Sequence, residues 1–291
     1  MEQQITLFLE EIDMLFITSE AFDLVAIFFI FNLSLVLIEI VVDLLSSKKR
    51  LWQDTGANII IFLLGQLMEK LLYSAISLGA LFYAASFVPY EIPNTWWSWG
   101  LGLLAADLSY YWMHRTEHKH RILWASHSVH HSSKEYNLSI ALRLSIVEGL
   151  FEWIFLLPMI FIGFNPLQTI ICLIFIVEYQ TWIHTKSINK LGWLDKVFNT
   201  PSVHRVHHGS NRQYLDKNFA GILLIWDKLF GTFQKEEEDV TFGLTININT
   251  YNPLKINFIE YKNIWLDVKK RDGLMAKLST VFGGLVWKPK K

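Results

Sequence analysis

Cysteine is nearly absent from this chain: the single thiol, Cys172, lies inside an apolar run. That excludes a disulfide framework and any CxxC redox or metal motif, so a bound metal has to be held by nitrogen and oxygen. No excess of one charge exists either, with 26 Lys and Arg against 27 Asp and Glu and a formal net charge of −1. Without a basic stripe, nucleic acid is not expected as a partner. The chain carries no HExxH metalloprotease helix, no GxGxxG dinucleotide fingerprint and no HPGG haem motif. The N-terminal stretch MEQQITLFLEEIDMLF has neither a basic n-region nor a small-residue cleavage site, and it is read as retained.

What the chain has in abundance is apolar and aromatic residue. Over its 291 residues, 52% are hydrophobic, with 12 Trp, 10 Tyr and 21 Phe, a composition that points to a membrane. The expected fold is all-α, an integral membrane helical protein with about four to five spans and a cytoplasmic, histidine-rich helical cap. Residues 24–45 reach the length of one span, and Asn32, Glu39 and Asp43 within them should face protein instead of lipid. Residues 57–88 exceed one untilted span, and Glu69 with Lys70 suggests that the first half lies along the interface before 71–88 cross. Further spans are expected over 96–113, 146–164 and 167–184. Lys48, Lys49 and Arg50 follow the first span, and Arg115, Lys119 and Arg121 follow the third, so these ends are assigned to the cytoplasm. The domain division is 1–95 for N-terminal spans, 96–235 for a catalytic domain that includes spans, and 236–291 for a C-terminal interfacial tail.

Six of the ten histidines fall between Asp107 and His131, in DLSYYWMHRTEHKHRILWASHSVHH. His114 and His118 are four residues apart, and His127, His130 and His131 follow an i, i+3, i+4 pattern, so each set projects from one helical face. A second HxxHH block holds His204, His207 and His208, and His184 stands by itself in QTWIHTKS. The membrane topology brings all nine to one side, whereas His120 breaks the pattern and is expected in solvent. Neutral imidazole suits Zn, Cu, Fe and Ni. Nine ligands are too many for one ion, and dividing them between two leaves four or five nitrogens each, which fits five- or six-coordinate irons better than tetrahedral zinc. The paired Glu-x-x-His motifs of carboxylate-rich di-iron bundles are not present. Asp107, seven residues before His114, is placed to accept a hydrogen bond from a ligand's free N–H. Glu148, Glu152 and Glu178 in or near spans are candidates for function or packing.

HRTEH, HSVHH and HRVHH, in that order, resemble the fatty acid hydroxylase and sterol desaturase superfamily of membrane-bound di-iron oxygenases. DLSYYWMHR, HHSSKEYNLSIALR, WIHTKSINKLGWLDKVFNTPSVHRVHHG and DKNFAGILLIWDKLFGTF are most similar to its alkylglycerol monooxygenase branch. That resemblance implies His114, His118, His127, His130, His131, His184, His204, His207 and His208 as ligands of two Fe ions, with Asn137 and Asn218 near the metals or substrate. It implies O2-dependent hydroxylation of a lipid C–H bond, with cleavage of an ether lipid as the concrete form. A desaturase acting on a sterol, carotenoid or acyl lipid is the alternative, and a zinc-binding membrane protein the third reading. The electron donor is expected to be separate: tetrahydrobiopterin for the alkylglycerol branch, a ferredoxin or cytochrome b5 for other relatives. The bacterial inner membrane or the endoplasmic reticulum is the expected location, with the active site on the cytoplasmic side.

Overall fold

A computed structural model describes residues 2–46 and 49–285, with side chains from Thr18 onward. Lys48 and the last six residues of the expected interfacial tail lie outside the described residues. The architecture is helical, and among the described residues no strand forms, only isolated bridges such as Gly209 with Phe242. The order is α1 (Glu2–Leu45), α2 (Trp52–Met68), α3 (Ser74–Ala85), α4 (Trp96–Glu117), α5 (Arg121–His131), α6 (Gly149–Ile162), α7 (Pro166–Tyr179), α8 (Pro201–His207), α9 (Ile225–Leu229), α10 (Pro253–Lys269) and α11 (Leu274–Phe282).

Local sequence sets the boundaries that matter for the site. Thr95 and Ser98 form a capping box that starts α4. The Asn165 side chain caps α7, with Pro166 at its first position. Between α6 and α7 the chain turns at Gly163, whose φ of 102° favours glycine.

Among the described residues, three stretches are long and apolar enough to cross a membrane, Thr18–Leu45, Trp52–Ala85 and Pro166–Ile183, with Gly149–Ile162 as a shorter apolar helix. This is an integral membrane protein. Their outward faces expose large apolar side chains, including Ile27, Phe31, Ile38, Leu63 and Leu71, as a lipid-facing surface requires. Beneath that surface, α4, α6 and α7 bury a core around Trp99, Ala106, Met159, Cys172 and Ile176.

Trp52–Ala85 does not divide into an interfacial half and a crossing half. It is one continuous helix in which Glu69–Tyr73 widen into a π turn. The carboxylate that suggested a break is instead accommodated by protein, because Ser74 Oγ donates to Glu69 Oε1 at 2.9 Å. Gly149 leaves room for it: a Cβ there would sit 2.8 Å from Glu69 Oε2. The stretch 96–113, expected as a span, lies in α4, which buries Ser98, Asp107 and Tyr110 among neighbouring helices.

The polar residues of α1 face protein. Asn32 Nδ2 donates to the Glu178 carbonyl at 2.8 Å and to its carboxylate at 2.9 Å. Glu39 and Asp43 both pair with Arg50, at 3.2 and 2.7 Å. Arg50, counted with the basic loop in the sequence, is therefore a buried partner of two acids and not a headgroup cation. Its Nη2 also donates to Asn137 Oδ1 at 3.0 Å, which ties the end of α1 to the segment beside the histidines.

Candidate metal centre

The last turn of α4, the length of α5 and the last turn of α8 converge with His184, which follows the short turn after α7. Nine buried imidazoles meet there in two adjoining groups. His114, His118, His127, His131 and His207 form one, and His130, His184, His204 and His208 the other, with the nitrogens of each group within 4.8 Å of one another. Adjacent residues His130 and His131 belong to different groups because one helical step turns a side chain by about 100°. The groups touch through His131 and His208, whose rings stack with centroids 4.4 Å apart. His120 is in neither group: it is exposed, and its Nδ1 contacts the Phe282 carbonyl at 2.9 Å.

The outer nitrogens decide the tautomers. His114 Nδ1 lies 3.0 Å from the Phe219 carbonyl, His207 Nδ1 2.9 Å from that of Lys217, and His184 Nδ1 2.7 Å from that of Gln180. A carbonyl can only accept, so each neutral ring carries its proton on Nδ1 and turns the Nε2 lone pair inward. His127 Nδ1 lies 3.2 Å from Glu117 Oε2 and 3.4 Å from Glu148 Oε1, and its Nε2 lies 3.1 Å from His114 Nε2. His114 and His207 turn their Nε2 lone pairs into one group of nitrogens, where they repel unless a cation sits at the point of convergence, and this donor set therefore fits a metal.

The spacing also suits a shared ion. An ion about 2.1 Å from each imidazole nitrogen sets right-angled neighbours about 3.0 Å apart and tetrahedral neighbours about 3.4 Å apart. The Nε2 separations are 3.1, 3.2 and 3.1 Å in the five-histidine group and 3.2, 2.9 and 3.2 Å in the other. These contacts are short enough for the nitrogens of each group to share one ion. His118 Nε2 is buried with no hydrogen-bond partner, as a ligand nitrogen should be.

Burial favours the neutral ring at His114, His118, His130, His131, His184, His204, His207 and His208. It is the first cause lowering His184 to about 4 and His207 to about 3, and neighbouring imidazoles add to the effect at His114, His131 and His208. Because unfolded histidine titrates near 6.5, the unfolded chain binds more protons than the folded one between there and about 4. The metal-free protein should accordingly lose the histidines' contribution to stability, and melt progressively lower, as pH falls from about 6.5 to about 4. Thermal unfolding across pH checks this, and a melting temperature that rises on acidification in that window contradicts it.

Glu117, Glu148 and Asp216 are site residues that histidine spacing does not reveal. Burial, then Glu148 and Glu152, raise Glu117 well above the ordinary carboxyl value, favouring its protonated form. Asp216 Oδ1 lies 3.5 Å from His118 Nδ1. The signal for Glu117 was present in the helix register, since Asp107, Tyr110, His114 and Glu117 share one face of α4. Outer partners of metal ligands typically carry about 10–100-fold in affinity or activity, and Glu148→Ala should lower both by that order. Iron titration of the purified variant measures it, and wild-type affinity would assign Glu148 to packing.

Asp107 spends its oxygens elsewhere, accepting from the backbone N–H of Ile222 at 2.7 Å, that of Leu223 at 3.0 Å and Trp226 Nε1 at 2.9 Å. It thereby anchors the 219–223 segment whose Phe219 carbonyl orients His114. Asn218, at φ 57°, donates to the Val203 and Gln234 carbonyls and accepts from Gln234 N–H. That fixes the loop carrying the Lys217 carbonyl against α8. Asn137 caps the Leu138–Leu142 turn through Ser139 N–H and receives Arg50.

Residues 99–232 match the fatty acid hydroxylase family. The chain is 42% identical over 267 residues to the alkylglycerol monooxygenase of Homo sapiens, covering 90% of this chain and 59% of that protein. It is 31% identical over 156 residues to an ornithine lipid hydroxylase of Rhizobium tropici, 53% of this chain and 46% of the relative. A Delta(7)-sterol 5(6)-desaturase of Gibberella zeae is 29% identical over 145 residues, 47% of this chain and 43% of the relative. The chain thus spans about half the length of the curated relatives it matches. No solved structure matches it.

Proposed function

Residues 99–232 belong to the fatty acid hydroxylase family, and from that premise we propose that the chain is a membrane-bound non-haem di-iron oxygenase that uses O2 to hydroxylate a lipid C–H bond. The observation that carries the reading is the convergence of nine buried imidazoles, with the Nε2 lone pairs of His114, His184 and His207 turned inward. The five-histidine and four-histidine groups would each hold one iron, and the two ions would supply O2 activation and hydrogen abstraction.

The chain's own residues supply placement. The carbonyls of Phe219, Lys217 and Gln180 fix the plane and tautomer of three rings, and Glu117 and Glu148 hold His127 in position. Removing that freedom beforehand lowers the reorganisation that the reaction requires. Helices α4 and α7 run from the apolar region to the histidines, so a lipid chain lying among the spans presents its C–H bonds at their ends. Burial excludes bulk water from the reacting carbon.

An alkylglycerol ether is the substrate that the relatives favour, since those at 42–45% identity are alkylglycerol monooxygenases, whereas the sterol desaturase stands at 29%. Hydroxylation beside the ether oxygen gives a hemiacetal that separates into aldehyde and alcohol. Tetrahydrobiopterin is then the expected donor, with a ferredoxin or cytochrome b5 as the alternatives. We place the active site on the cytoplasmic face, of a bacterial inner membrane or the endoplasmic reticulum, following the basic residues that flank the spans. Turnover of an alkylglycerol under ¹⁸O2, with the aldehyde trapped by reduction, tests the reading. Label in the trapped alcohol supports it, and a new double bond with both oxygens in water identifies a desaturase.

A further inference from the structure

Within residues 236–291, the expected interfacial tail, stand α10 and α11, both outside the 99–232 stretch that matches the family. Neither carries a histidine, yet both are fixed to helices that matter for the site. Ile256 of α10 packs with Ala57 and Ile61 of α2 and with Val129 of α5, and Asn257 Oδ1 accepts from the Ile146 N–H at 2.9 Å. Farther along α10, Arg121 at the start of α5 donates to Asp267 Oδ2 at 2.7 Å and lies 3.6 Å from Glu260 Oε1. The Gly283 carbonyl, just after α11, accepts from the Arg121 N–H at 3.1 Å.

The contacts with α2 give the depth of α10. Trp52–Ala85 holds 34 residues, a helix about 50 Å long against a hydrocarbon core of about 30 Å. Its surplus lies at the start, where Asp54, Thr55 and Asn58 bond to Ser133, Arg50 and Arg143 instead of facing lipid. Ala57 and Ile61 are therefore at headgroup level, and so is the α10 residue that packs on them.

Around its circumference α10 is sorted as that level demands. At about 100° per residue, Leu254, Phe258 and Trp265 form one exposed apolar stripe. Lys255, Lys262 and Lys269, seven residues apart and all exposed, run along one edge of it. The acids Glu260 and Asp267 lie on the opposite side, where Arg121 takes them up. Lys269 Nζ sits 4.9 Å from the centre of the Trp265 ring. In α11, Leu274, Met275, Leu278 and Phe282 share one face, with Met275 78% exposed. An apolar stripe edged by lysines, whose stems lie along apolar surface while their ammonium groups reach outward, is the pattern of a helix lying in the plane of an interface.

We propose that α10 and α11 lie in the headgroup layer of the bilayer that the spans cross, and that the lysine edge of α10 binds anionic phospholipid. The surface continues the lipid-facing side of α2, where Ile60 and Leu63 are exposed beside Ile61. Its charge selects headgroups of negative sign, because the acids of α10 are turned to the protein and the lysines are not. Through Ile256 and Arg121 the two helices then set the depth of α5, which carries His127, His130 and His131, relative to the membrane.

The test uses the full chain in vesicles of phosphatidylcholine alone or mixed with phosphatidylglycerol. An environment-sensitive fluorophore is attached to Phe258→Cys, Met275→Cys or Asn263→Cys in turn, Cys172 being buried and out of reach of the label. Asn263 is exposed on α10 but lies away from the apolar stripe. Lipids brominated near the ester end of their chains should quench the first two labels about twofold or more beyond the third, as shallow burial of one face requires. Phosphatidylglycerol should increase the quenching at Phe258→Cys. Lys255→Glu/Lys262→Glu/Lys269→Glu should remove that increase, since each basic residue at an anionic surface contributes about fivefold in affinity. Equal quenching at all three positions, or none at any, overturns the proposal. Cross-linking between two Met275→Cys chains in vesicles, without quenching, also overturns it and gives the face to a second copy. Quenching that is the same with and without phosphatidylglycerol overturns the assignment to anionic lipid.

Discussion

His204→Ala should abolish lipid oxidation, with turnover falling by more than about 100-fold, because a direct ligand must cost more than the 10–100-fold typical of its outer partners. His204 Nε2 is 2.9 Å from His184 Nε2 and 3.2 Å from His208 Nε2, at the centre of the four-histidine group. Its loss leaves three imidazoles there while the five-histidine group stays whole. Iron content should therefore fall from about two per chain towards about one, the remaining ion keeping its nitrogen ligands. α8 is pinned independently by Arg205 and by Asn218, so the variant should still purify as a monodisperse, membrane-inserted protein. His120→Ala is the control: exposed and outside both groups, it should change turnover by no more than about twofold. Full iron content and normal turnover in His204→Ala would remove His204 from the ligand set, and equal losses in both variants would mean the effect is not local.

The largest loss of stability is expected from Arg143→Ala. Arg143 is 1% exposed, and it donates to Asp54 Oδ1 at 3.2 Å, Asn58 Oδ1 at 2.7 Å, the Val129 carbonyl at 2.9 Å and Ser132 Oγ at 2.9 Å. One guanidinium thus fastens the first turns of α2 to the end of α5, where His130 and His131 sit. Its removal strands the buried Asp54 carboxylate, a change that costs about 3–5 kcal/mol. Arg143→Ala should lower the melting temperature in detergent sharply and release iron at temperatures where the wild type retains it. Asp54→Asn with Arg143→Met removes both charges and should recover much of the loss, since a pair replaced together costs less than one partner stranded. No rescue would show that the bonds to Val129 and Ser132, and not the ion pair, hold the corner.

Helix-face arithmetic carried most of the site. Spacings of three and four residues identify which imidazoles leave a helix together, and apolar runs indicate the spans, so the all-α membrane architecture was legible before any coordinates. What spacing cannot show is which face meets which. His130 meets His184 at 3.2 Å while His131 meets His207 at 3.1 Å, a tertiary fact. Asp107 lies on the face of His114 as its register says, yet the backbone amides of Ile222 and Leu223, over a hundred residues away, reach it instead. Arg50 looked like a headgroup cation because charge counting has no view of burial, and Glu39 and Asp43 needed a partner more than the membrane surface did. Glu69 failed to break its helix for the same kind of reason: Ser74 and the gap left by Gly149 accommodate its carboxylate where the helix widens.

The most direct test of the account is the metal itself: elemental analysis and Mössbauer spectroscopy of the detergent-purified chain prepared with iron-57. Two adjoining histidine groups, in contact through the His131 and His208 rings, predict about two irons per chain that couple magnetically. Stoichiometric zinc without iron, persisting after anaerobic reconstitution with ferrous ion, would contradict the oxygenase and make the two histidine groups a zinc site.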